Sequence, residues 1–312
     1  MAGLPVNPKV ASEKRQLDLP RGWKFERGKE WDGDLSHHVW MPRLYNHNGN
    51  RVLFEFVPND RMAPHEKIIE SNVQEMTGKI ASKGYYTKFA HVTPIGDDRL
   101  MIVDGHHRKE SLDRLEGKRT PSLIHSIYSD IKLGTWYPTM GIGQFEKALK
   151  NAAPRECRYG AAMERVLAGD AYFAALLPDG RCYSFSCPNR SLEAAFELQG
   201  NLLEAAGGVP NGDYVADKKG DVKGALSEGR VVLARKPLKH AEVIGIANEG
   251  KVCPPKTTRH GGLADLWLPV LPELFGVENI DVQNKILLYM IGMMASDEHP
   301  LGLNNPLRIK KS

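Results

Sequence analysis

From Arg51 onward, short apolar runs alternate with helical spacings. Val52 to Val57 predicts a strand, closed by the turn Pro58-Asn59-Asp60. Val73, Met76 and Ile80 fall on one helix face, and Gly84 marks the end of that helix. His91 to Ile95 predicts a short strand before Gly96-Asp97-Asp98. Leu100 to Val103 predicts a buried strand, and Leu112 with Leu115 the apolar side of the helix that follows. Pro121 to Tyr128 reads as a further strand.

The later part of the chain mixes the same two periodicities. Ala171 to Leu177 and Cys182 to Phe185 flank Pro178-Asp179-Gly180, the pattern of two strands joined by a tight turn. Residues 191–206 and 238–249 predict helices, the second ending at Gly250, and Val231 to Ala234 a strand. Leu263 to Phe275 and Ile280 to Met294 read as amphipathic or apolar helices. In the latter, Leu287, Leu288, Met290, Ile291, Met293 and Met294 cover the core or make a subunit contact. The class is therefore α/β or α+β with two lobes. Residues 1–50 are rich in Pro, Gly, Asn and charge, with Trp23, Trp31 and Trp40 as punctuation, and predict an irregular arm. The expected order is an arm at 1–50, a first lobe at 51–140, a second at 141–262 and a helical extension at 263–312.

Composition narrows the functional classes. The 312 residues can bury a substantial core. No run approaches the roughly 18–20 apolar residues of a membrane span, and the N-terminus carries no apolar signal segment, so a cytoplasmic protein is expected. A net charge of +4, from 42 basic and 38 acidic residues, is too small to argue for nucleic acid but suits an anionic small substrate. Cys157, Cys182, Cys187 and Cys253 match neither a paired zinc motif nor a disulfide framework, and reduced thiols are expected. His37, His38 and His47 have no carboxylate or cysteine at ligand spacing and read as solvated histidines.

Chemistry concentrates in two places. Ile102-Val103-Asp104-Gly105-His106-His107-Arg108 sits where a strand ends and a helix begins. Such a junction offers backbone N–H groups and the positive end of a helix dipole, so phosphate is the natural ligand. Gly105 lets the backbone come close to it, while His106, His107 and Arg108 add donors. Adjacent histidines in a surface turn are the alternative. The second cluster, Pro254-Pro255-Lys256-Thr257-Thr258-Arg259-His260, places two cations, two hydroxyls and an imidazole behind a rigid Pro-Pro. It reads as an anion-binding loop or, alternatively, as a solvated basic loop. Glu66 lies after Pro64 ahead of a helix, as a site carboxylate or as a dipole-complementing one. The chain lacks a Walker A loop, a protein-kinase catalytic loop, a G-x-G-x-x-G turn and a G-x-S-x-G elbow.

Four segments in order, Pro64-His65-Glu66, Ile102 to Arg108, Thr135-Trp136-Tyr137-Pro138 and Pro255 to His260, resemble the pattern of the free serine kinases. That family is built on the ParB/sulfiredoxin-type fold, and the resemblance spans roughly residues 50 to 262. It implies a nucleotide-binding core at 51–140 and a second lobe carrying the substrate segment. It implies phosphorylation of free L-serine to O-phospho-L-serine with ATP or ADP as donor and Mg²⁺ as cofactor. By position, Glu66 resembles the catalytic base. Asp104, Gly105, His106, His107 and Arg108 resemble the group holding the nucleotide phosphates, with Asp104 and His107 at the reacting centre. Trp136, Lys256, Thr257, Thr258, Arg259 and His260 resemble the serine-holding part.

Two further readings stay beside this one. ParB-like proteins with a related core bind nucleotides and DNA, but the small net charge and the lack of a helix-turn-helix speak against DNA here. A kinase for another hydroxy amino acid is the other reading, since one methyl in a pocket discriminates by only roughly 1–3 kcal/mol. Oligomeric state is left open.

Overall fold

The structure is a computed structural model and describes residues 16–30, 40–150, 154–186, 191–208, 213–295 and 308–311. His37, His38, Trp31 and Cys187 lie outside the described residues. The chain divides into two compact units. The first comprises 1–132, 244–251 and 262–312, and the second 133–243 and 252–261. Strands and helices mix in both, in agreement with the α/β (α+β) expectation. Among the described residues no helix is long and apolar enough to cross a membrane.

In the first unit a seven-stranded mixed sheet is organised around the antiparallel pair Arg51–Pro58 and Arg119–His125, with Val52 opposite His125 and Pro58 opposite Arg119. Along Arg51–Pro58, Val52, Phe54 and Phe56 are buried while Arg51, Leu53 and Glu55 are not. This is the period-two pattern of a strand with one face on the core. Full burial of a side chain such as Phe56 contributes roughly 1.5–3 kcal/mol. Ala90–Gly96 runs parallel to Arg119–His125 and antiparallel to Arg99–Asp104. Asp104 thereby comes opposite His91 at the end of its strand. The helix Glu70–Lys83 ends at Gly84 in the left-handed conformation, and Val73 is buried on its inner face.

Two segments differ from the expectation. Part of the predicted irregular arm is regular: Gln16–Leu19, Lys24–Glu30 and Trp40–Tyr45 are strands. Leu17, Leu19, Trp23 and Leu44 bury themselves in the main core, which gives these short strands the tertiary partner their composition does not announce. The predicted helix Leu263–Phe275 is instead the strand Asp265–Val270 and the short helix Pro272–Phe275. Leu266, Leu268 and Val270 are buried at alternate positions, and Pro269, which a helix interior would exclude, sits where the register shifts against Tyr86–Lys88. Asp265–Val270 pairs with both Gln16–Leu19 and Tyr86–Lys88 in a four-stranded sheet, completed by Arg308–Lys311. Helix Ile280–Ala295 buries Leu287 and Ile291 in the same core, so these residues cover it.

The second unit carries a six-stranded antiparallel sheet. Phe173–Leu176 and Cys182–Phe185 form its hairpin, and Arg230–Arg235 lies between Phe173–Leu176 and Trp136–Gly141. Helix Leu192–Ala205, capped by the Ser191 hydroxyl accepting the Ala194 N–H, contributes Leu202 to the core on one side of this sheet. A separate two-stranded ladder joins Lys132–Gly134 to Arg259–Gly261. Cys157 and Cys182 are free thiols.

Candidate active site

In the first unit Asp104 ends its strand and Gly105 turns the chain into helix His106–Arg114 with φ +116°. A Cβ at Gly105 would lie 2.8 Å from Ala90 Cβ and 3.1 Å from Arg108 Nε, so both conformation and space require glycine. The N-cap residue, Gly105, brings no side-chain cap to this helix, whose N-terminus is a dipole end suited to an anion.

The side chains of the turn face inward more than the sequence suggests. Arg108 is buried and donates through Nη2 to Asp104 Oδ2 at 2.5 Å, four residues back on the same turn. Half of the Asp104 side-chain surface stays open to solvent. Desolvation works against its charge, but the Arg108 guanidinium, with His91 and Lys88 behind it, holds the carboxyl well below its usual range. His106 and His107 both use Nε2 as an acceptor. The His65 backbone N–H donates to His106 at 3.3 Å, and the Ile69 N–H donates to His107 at 2.9 Å. Nε2 of each ring thus grips the Pro64–Ile69 loop, and Arg108 spends a donor on Asp104.

That loop carries Glu66. Its side chain retains 13 % of its surface, and Oε1 lies 3.9 Å from Nε2 of the fully buried His65. Burial pushes the His65 imidazole down to about 4, partly offset by a hydrogen bond with the Ile102 backbone, so it is neutral at pH 7. The Tyr128 phenol is pushed up by burial and by the negative charge of Glu66. Glu66 thus stands among a neutral imidazole and a neutral phenol.

The second unit gathers Trp136 and the Lys256–His260 segment. The Lys256 ammonium lies 5.8 Å from the Trp136 ring centroid, a cation–π contact. Lys256 itself is left-handed, φ +61°, a strained backbone for a side-chain-bearing residue. Its carbonyl accepts from Arg235 Nη2 at 2.6 Å. The same buried guanidinium donates to the Trp136 carbonyl at 2.9 Å, Thr135 Oγ1 at 2.9 Å and Gln199 Oε1 at 3.0 Å. Thr257 and Thr258 are buried. The Thr257 hydroxyl donates to the Pro254 carbonyl and its own carbonyl accepts from Thr135 Oγ1, which makes it a brace of the loop. Arg259 donates through Nε and Nη2 to Asp217 Oδ1 at 3.0 and 2.5 Å. His260 follows in the short ladder strand.

Asp217, Arg235 and Gln199 escape motif reading. Arg235 did leave a trace, as a charged residue directly after the apolar run Val231 to Ala234. Asp217 left none, because only the fold brings it to Arg259. Among the described residues no group of three or more His, Cys, Asp or Glu side chains could hold a metal ion. Asp104 alone, with one oxygen on Arg108 and half its surface open, fits the single-carboxylate contact that Mg²⁺ makes when substrate phosphates complete its shell.

No family model matches the chain. It is 31 % identical over 232 residues to an ATP-dependent L-serine kinase of Staphylothermus marinus, covering 69 % of this chain and 85 % of the relative. It is 30 % identical over 240 residues to an ADP-dependent L-serine kinase of Thermococcus kodakarensis, covering 75 % and 92 %. A solved free serine kinase in complex with AMP, carrying a glutamate-to-glutamine change, superposes with a TM-score of 0.57 at 25 % identity over 70 % of this chain and 93 % of the other. A C-terminally truncated SbnI from Staphylococcus aureus, 20 % identical with a TM-score of 0.61 over 78 % and 97 %, shares the fold. At 30 % identity or more, over most of the length of those relatives, this chain belongs to the family of the ATP- and ADP-dependent L-serine kinases.

Proposed function

We propose that this chain transfers the terminal phosphoryl group of ATP or ADP to the hydroxyl of free L-serine, giving O-phospho-L-serine, in the cytoplasm. The observation that carries the reading is the suspension of the Glu66 loop from His106 and His107 of the Asp104–Arg108 turn. It ties a carboxylate suited to proton removal directly to a junction suited to phosphate.

Phosphoryl transfer asks the protein for positioning and counter-charge more than for covalent chemistry. Glu66 takes the proton of the serine hydroxyl as its oxygen bonds to phosphorus, and the bond from phosphorus to the departing nucleotide breaks, releasing ADP or AMP. General-base help of this kind is worth typically about 10²- to 10⁴-fold. The backbone amides of the Gly105 turn and the dipole of its helix supply donors and counter-charge for the phosphate oxygens in this reading. Asp104 would hold Mg²⁺, which would supply further counter-charge there. In the second unit Arg259 and Lys256 supply the cations for the serine carboxylate, with Trp136 as an apolar wall and His260 as a further donor.

Both donors are named among the relatives. The test is ³¹P NMR of purified protein with Mg²⁺ and L-serine, run in parallel with ATP and ADP. A phosphoserine resonance that requires serine identifies the reaction and its donor. Silence with both donors from folded protein overturns the proposal, and product from threonine or homoserine in preference to serine reassigns the acceptor.

A further inference from the structure

An α-amino acid carries two opposite charges. The segment read from sequence, Lys256 to His260, holds cations, hydroxyls and an imidazole but no carboxylate to meet an ammonium. The fold of the second unit adds one. Asp217, outside every motif, accepts Nε and Nη2 of Arg259 on Oδ1 and the Thr135 backbone N–H on Oδ2 at 3.0 Å. Its side chain keeps 12 % of its surface and that of Arg259 keeps 22 %, so neither is sealed in the core. The backbone is shaped around the pair. A Cβ on Gly134 would lie 2.6 Å from Arg259 Nη2 and 2.8 Å from Asp217 Oδ2.

The bond to Asp217 uses one edge of the Arg259 guanidinium and fixes its plane, while Nη1 stays outside that bond. Oδ2 has accepted one donor and has a second lone-pair direction. A fixed guanidinium beside a carboxylate offers a donor face and an acceptor of opposite charge side by side. That matches the carboxylate and ammonium carried on one α-carbon. We infer that Asp217 determines specificity in the amino-acid site, orienting Arg259 for the α-carboxylate and receiving the α-ammonium on Oδ2. The inference rests on the serine-kinase reading and deepens it.

Asp217→Asn keeps the shape and removes the charge. Initial rates of the full-length protein at saturating nucleotide are compared with L-serine and with 3-hydroxypropanoate, which has the carboxylate and hydroxyl but no ammonium. Loss of a charge-assisted bond predicts a fall in kcat/KM for L-serine of about tenfold or more. The nucleotide KM stays within about threefold, and the 3-hydroxypropanoate rate falls less than the serine rate. An equal fall for both acceptors, or an unchanged serine KM, overturns the inference. Wild-type protein gives an arm that does not depend on how the variant folds. It should prefer L-serine over 3-hydroxypropanoate by about tenfold or more, and equal use of the two overturns the inference while leaving the kinase reading intact. Wild-type protein inactive on serine overturns both.

Discussion

The Ile69 backbone N–H donates to Nε2 of His107 at 2.9 Å, and this bond fixes the far end of the loop that carries Glu66. The near end hangs on the preceding histidine, through the His65 N–H and His106 Nε2. Two neighbouring side chains at the start of one helix thus hold the backbone on either side of a single carboxylate. A nitrogen that accepts carries no proton, so both rings work here as neutral acceptors on this edge.

Removing the acceptor should release the loop without emptying the phosphate turn. For His107→Ala the expected result is a turnover lower by about 10- to 100-fold, since small misplacements of a reacting group are costly. The nucleotide KM should change far less. Hydrogen exchange at the Ile69 amide should quicken at the same time. Faster exchange with unchanged turnover would separate loop order from catalysis and count against the scheme.

Glu66→Gln tests the base itself. The side chain is nearly isosteric and its neighbours His65 and Tyr128 are uncharged, so urea stability should move by no more than about 1 kcal/mol. Turnover should drop by about 10²- to 10⁴-fold with both substrates still bound. A variant that keeps wild-type turnover removes Glu66 from the chemistry.

Gly105→Ala combines a φ of +116° with a Cβ placed 2.8 Å from Ala90 Cβ, and the Ala90 backbone stands close behind at 3.1 Å. Backbone strain and overpacking act together, so a loss of about 2–4 kcal/mol in urea denaturation is expected. Gly84 is the control. It is also left-handed, but a Cβ there meets nothing within 4 Å, and Gly84→Ala should cost about half as much or less.

These residues also mark the limits of what sequence reveals. The Gly105 turn was legible because an apolar strand, a glycine and a helix face stand next to each other in the chain. So was helix Glu70–Lys83, whose spacing and terminal Gly84 are local signals. What lay hidden depends on partners far apart in sequence. Gln16 pairs with Trp267 across the four-stranded sheet, a partnership that no local signal in either segment announces. The pairing of Asp217 with Arg259, 42 residues apart, follows from the same kind of long-range closure. Likewise the residue types at 106 and 107 announced hydrogen bonding, but not that its partners would be the amides of residues 65 and 69.

The buried imidazoles predict how stability follows pH. His91 Nδ1 and His125 Nε2 lie 2.9 Å apart, each residue 2 % exposed. Burial pushes His125 down to about 4, opposed by Asp130, and His65 down to about 4, opposed by the Ile102 backbone. Burial, then the neighbouring His125, pushes His91 well below the ordinary range. Unfolded histidines titrate near about 6.5. Between that value and about 4 the unfolded chain binds more protons than the folded one, so stability rises with pH across this window. The contribution is complete above about 6.5 and is lost as pH falls toward 4. At pH 5 each such histidine lowers stability by up to about 2 kcal/mol relative to pH 7.5. Urea midpoints at the two pH values should therefore differ strongly. In His125→Gln, which cannot gain a proton, the difference should shrink by roughly one histidine's share. A midpoint flat from pH 7.5 to 5.0 would mean that these imidazoles are already charged in the folded protein.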